Sequence, residues 1–74
     1  MEDIRYLKIT LESAEKTHTD ALRRLQWLER RLMDAQTQEE YDHIKELLDK
    51  QEEYTKETGK IEMQARWKYA AATI

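Results

Sequence analysis

Residues 4–35 read IRYLKITLESAEKTHTDALRRLQWLERRLMDA. Within them Ile4, Leu7, Leu11, Ala14, His18, Ala21, Leu25, Leu28, Leu32 and Ala35 recur at strictly alternating spacings of three and four. That is the a/d seam of a long helix built to lie along another helix. Every seam residue except His18 is Ile, Leu or Ala. A chain of this design offers other helices a surface and offers small molecules no cleft.

The rest of the composition agrees. The chain has 74 residues, so it forms one domain at most. It has no Pro and a single Gly, which leaves little to punctuate strands or turns. Long helices are the natural reading, and the fold expected is an all-α, antiparallel two-helix hairpin of coiled-coil type spanning residues 1–74. Two helices bury only a thin core, so completion by a partner or by self-association is expected. With no Cys there is neither a disulfide nor a thiolate site. No apolar run approaches the roughly 18 residues of a membrane span. Glu2 and Asp3 near the start do not fit the basic opening of a signal peptide. The 13 basic and 16 acidic residues leave a net charge of −3, which gives no global pull towards nucleic acid or anionic lipid.

After Ala35 come Gln36, Thr37, Gln38, Glu39 and Glu40. Thr37 followed by Glu40 has the spacing of a capping box, in which the hydroxyl takes an orphan N–H and the carboxylate reaches back. Helix 1 is therefore placed at about 3–35, the turn at about 36–37 and helix 2 at about 38–72. Helix 1 would be roughly 50 Å long. The second seam is less regular, drawing on Tyr41, Ile44, Leu47, Leu48, Gln51, Tyr54, Thr55, Thr58, Ile61, Ala65, Tyr69 and Ala72. A tight turn pairs residues whose numbers sum to about 73. His18 then meets Thr55, Ala14 meets Thr58 and Gly59, and Ala21 meets Gln51 or Glu52.

His18, Gln51, Thr55 and Thr58 thus form one polar layer. Polar seam residues weaken packing but fix register and partner, and that is the reading preferred for this layer. A semi-buried His could also make the contact pH-sensitive. No metal site is expected, because the layer holds one His and no Cys or suitably spaced carboxylate, while His43 lies far away. No catalytic residues and no cofactor are expected, since nothing pairs a nucleophile with a base.

Two groups of residues suggest contact surfaces. Arg23, Arg24, Arg30 and Arg31 lie three or four residues from Trp27, so guanidinium groups can surround one indole away from the seam. Such a patch suits an acidic protein face or RNA, or is a solvated face whose arginines pair with Glu29 and nearby acids. The second group is apolar and off-seam near the termini: Tyr6 and Ile9 on helix 1, Met63, Trp67 and Ile74 on helix 2. It is the preferred partner-binding surface, with the face around Leu22 and Trp27 as the substitute.

The Leu-rich first helix and short polar turn precede Glu39-Glu40-Tyr41, then Ile44, Leu47 and Leu48. The second helix closes with Trp67-Lys68-Tyr69 and a small apolar tail from Ala70 to Ile74. This whole plan resembles the small helical-hairpin co-chaperones of bacterial type III secretion systems. The resemblance implies a bacterial cytoplasmic protein, tied to virulence and without enzyme activity. It would bind a larger helical-repeat chaperone, and the pair would keep the needle subunit from polymerising early. Two rival readings stand beside it. One is a homodimeric four-helix-bundle regulator that binds nucleic acid through the Arg–Trp patch. The other is a structural coiled-coil piece of a phage or filament assembly.

If a partner or a second copy completes the fold, the isolated chain is highly helical with a concentration-dependent melting temperature. A sharp melt that does not move over about a hundredfold dilution would remove self-association.

Overall fold

The computed structural model describes residues 3–74. Residues 1 and 2 of the expected single unit lie outside that range. Two helices fold back on each other, α1 over Ile4–Met33 and α2 over Gln38–Ala72, with no strand among the described residues. The hairpin is a rod of 55 × 15 × 14 Å with a radius of gyration of 16.7 Å. A globular domain of this length would have a radius near about 11 Å. No described helix is long and apolar enough to cross a membrane.

The helix ends are capped by the residues the chain supplies there. Asp3 accepts from the Arg5 backbone N–H at 2.9 Å and starts α1. Arg30 and Arg31 occupy its last turn, where cations suit the helix dipole. Thr37 caps α2 and accepts from Glu40 N–H at 3.1 Å. The Glu40 carboxylate reaches back to the N–H of Gln36 at 3.0 Å, one residue before the cap.

The turn is longer than the sequence suggested, taking residues 34–37 rather than 36–37. Tyr41 is exposed, and Ile44 is the first buried residue of α2. His18 meets Thr58 and not Thr55, one seam position further along α2, whereas Ala21 meets Gln51 as the pairing placed it.

The seam of α1 forms as expected, buried or half-buried throughout except at its exposed first residue, Ile4. The α2 seam is more regular than its apolar residues alone suggested. Ile44, Leu48, Gln51, Thr55, Thr58, Glu62, Ala65 and Tyr69 form it, again at spacings of three and four. Glu62 holds the place that Ile61 was expected to fill. Ile61 is 55% exposed, while the Glu62 side chain is only 18% exposed and ion-paired to Arg66. A carboxylate can hold a seam position here because Arg66, one turn on, neutralises it at the rim.

The buried apolar residues fall into two groups. Leu28, Ile44 and Leu48 lie towards the turn. Leu7, Leu11, Ala14 and Ala65 lie towards the termini, with Tyr69 packed on the cluster of Leu11, Ala14 and Ala65. Between them Ala21 faces polar side chains. Leu28, 2% exposed, is the most enclosed large side chain, whereas neighbouring Trp27 is 52% exposed. Leu28→Ala should cost about 2–5 kcal/mol in chemical denaturation. Trp27→Ala should cost well under half as much. The reverse order would mean that the helix presents a different face to its partner.

Candidate functional site: polar waist and two flanks

The middle of the seam is small and polar. Ala14 and Ala21 on α1 let the helices approach closely enough for side chains of α2 to reach the α1 backbone. Gln51 Nε2 donates to the Ala21 carbonyl at 3.1 Å, using the lone pair that the helical bond leaves free. Thr55 Oγ1 donates to the Gln51 carbonyl one turn back at 2.7 Å. Thr58 Oγ1 donates to the Thr55 carbonyl at 2.8 Å. A hydroxyl has one proton, so the 2.9 Å contact between Thr58 Oγ1 and His18 Nδ1 is completed by an Nδ1–H on the imidazole. No buried side-chain nitrogen or oxygen among the described residues lacks a partner. The four residues expected to form this layer are therefore brought together.

Gly59 explains how an imidazole fits there. A Cβ at this position would stand 3.1 Å from His18 Cε1, inside the contact distance at which carbons attract. Glycine inside a helix costs about 1 kcal/mol relative to Ala, and here the missing methyl is the space the ring occupies.

The seam divides the hairpin into two unlike flanks. On one, Glu15 reaches Arg66 at 3.9 Å across the helices, and Arg66 also pairs with Glu62. Lys45 bonds Asp49 at 3.0 Å on the same side, and that hydrogen bond and the carboxylate's charge hold Lys45 above the usual lysine range. An open groove of about 520 Å³ runs along this charged flank, lined by His18, Gly59, Lys60 and Met63 among others.

The opposite flank carries no ion pair between the helices among the described residues. Thr10 and Thr17 of α1 face Ile61 of α2 across a groove of about 450 Å³, with Ile9 at its edge. Helical spacing places Leu47 and Tyr54 in the same row as Ile61, seven residues apart. Arg24 and Arg31 continue the α1 row of Thr10 and Thr17. Their guanidinium carbons lie 5.8 and 5.5 Å from the centroid of the Trp27 ring. None of Arg23, Arg24, Arg30 and Arg31 has a carboxylate within 4.0 Å among the described residues. The patch thus keeps its Trp packing but not the expected pairing with Glu29.

All seven residues expected to bind a partner are exposed. They do not form one patch. Ile9 lines the open flank and Met63 the charged one. By helical spacing Trp67 lies on the outer side of α2, Tyr6 belongs with the open flank, and Leu22 and Trp27 lie on opposite flanks, while Ile74 is fully exposed beyond the end of α2. The row of Leu47, Tyr54 and Ile61 was not singled out as a contact surface from sequence. Its spacing of seven was visible, but assigning those residues to the seam concealed it.

Gly59 and His18 should be energetically coupled. Gly59→Ala in the His18→Ala background should stabilise by about 1 kcal/mol, and in the unaltered chain by clearly less, measured as a double-mutant cycle in urea. Equal gains in both backgrounds would show that the ring does not occupy the space above Gly59.

Comparison with known proteins finds no matching family model, no similar curated protein and no similar solved structure.

Proposed function

We propose that this chain is a non-enzymatic binding module, a hairpin that gains stability by laying an apolar face on a larger helical partner. The observation that carries the reading is a mismatch between buried and exposed apolar residues. Three of the eight buried apolar residues are Ala, while Tyr54, Ile61, Met63, Trp67 and Trp27 stand more than half exposed. The seam is also interrupted midway by Gln51, Thr55 and Thr58. A rod of this kind has little apolar burial of its own and much to gain from a neighbour.

The resemblance to type III secretion co-chaperones makes the proposal specific. In that reading the partner is a helical-repeat chaperone in the bacterial cytoplasm, and together they hold the needle subunit unpolymerised. The test is co-expression with such a chaperone, followed by size exclusion and thermal melting. A stable complex with a raised melting temperature is expected. Trp67→Ala should weaken capture while circular dichroism stays nearly unchanged, because Trp67 is 66% exposed and touches little of the hairpin. Failure of every such chaperone to co-elute with the unaltered chain would overturn the assignment.

A second reading rests on the arginines beside Trp27, which have no carboxylate within 4.0 Å among the described residues. In it, a homodimeric bundle binds nucleic acid through that surface. Such binding would weaken steeply with salt, by the counterions that each phosphate contact releases.

A further inference from the structure

Coiled-coil helices that touch one neighbour carry apolar residues only on the seam, and helices that touch two carry a third row beside it. In α2 that third row is Leu47, Tyr54 and Ile61, on the open flank. Leu47 is half-buried, and Tyr54 and Ile61 are 52% and 55% exposed. The α1 side of the groove is low, because Thr10, Ser13 and Thr17 are small. A helix can therefore settle beside Ile61 without displacing anything. On the opposite flank the Glu15–Arg66–Glu62 group already satisfies its charges.

The charge at the turn end of the open flank selects the occupant. Arg24 and Arg31 hold the α1 row there, each stacked near Trp27 and neither with a carboxylate partner among the described residues. Stacking limits the rotamers that the two guanidiniums sample, so less order is lost when they bind. Planar guanidinium groups favour carboxylates, with two parallel hydrogen bonds each. We propose that the open flank is a docking groove for an amphipathic helix with an acidic edge. Its apolar stripe lies on Leu47, Tyr54 and Ile61, and its Asp or Glu residues meet Arg24 and Arg31. This deepens the proposed function by naming a contact surface besides that of Trp67 and the chemistry of the partner helix.

The probe is a fluorescein-labelled 21-residue synthetic helix with a Leu stripe and Glu along both edges, compared with its Lys-edged twin. Fluorescence polarisation with the full chain should favour the Glu peptide roughly tenfold or more, with the margin shrinking as salt rises. Arg24→Glu with Arg31→Glu should invert the preference. Ile61→Asp should abolish binding of both peptides with helicity intact, while Lys56→Gln on the charged flank should change nothing. Equal affinity for the two peptides, or binding that ignores Ile61→Asp, would overturn the proposal. So would a chain that dimerises alone and becomes monomeric on Ile61→Asp, or an Arg24- and Arg31-dependent complex with a poly(U) RNA in place of peptide binding. If a helical-repeat chaperone is captured equally by the Ile61→Asp chain, the proposed function stands and this surface falls.

Discussion

A hairpin of two helices has a single internal interface, and every side chain that leaves water must do so along it. In this chain the interface is one residue wide on each helix, a double row of seam positions from Leu7 and Tyr69 at one end to Leu28 and Ile44 near the other. Its leucines lie towards the ends, and its middle is given to Ala, Thr, Gln and His. The close approach allowed by Ala21 is what lets Gln51 find a backbone carbonyl, and the missing Cβ of Gly59 leaves the space that the His18 ring occupies. The waist is polar yet fully bonded, because small neighbours bring its groups within reach.

The first helix was legible because its seam is both strictly spaced and apolar. The second was only partly legible, for a reason visible at Glu62. Hydrophobic periodicity finds a seam through its apolar members, and four consecutive seam positions of α2, Gln51, Thr55, Thr58 and Glu62, are polar. Ile61, one residue away, looked like the better candidate, and choosing it concealed the third row. The capping residues Thr37 and Glu40 were readable from type and spacing, but not the length of the turn they close. Which carbonyls and amides a turn leaves outside the helices depends on backbone geometry that spacing does not encode. The polar layer was identified residue by residue; Gln51 meets Ala21 as placed, and only the partner of His18 was off, by one seam position.

Contact surfaces were the least legible part. Exposure of Tyr6, Ile9, Trp67 and Ile74 followed from their distance from the seam. Their distribution around the rod did not, because residues near in sequence can point to opposite flanks. The arginines around Trp27 show a related limit. Sequence placed cations and carboxylates on one helix at pairing distance, but the indole lies between Arg24 and Arg31, and both guanidiniums are found over its ring. Stacking and ion pairing compete for the same group, and spacing alone does not say which wins.

The polar waist also bears on how the hairpin forms. Its apolar contacts fall into two blocks joined by a segment that contributes hydrogen bonds and, apart from Ala21, no buried apolar side chain. The block nearer the turn closes a short loop held by the Thr37 cap, with Leu28, Ile44 and Leu48 as its core, so its assembly requires little loss of chain entropy. The block nearer the termini depends on Leu7, Leu11, Ala14 and Ala65, which lie much farther apart along the chain when paired across the seam. The two apolar blocks therefore differ in the chain entropy that their closure costs, the terminal block closing the longer loop.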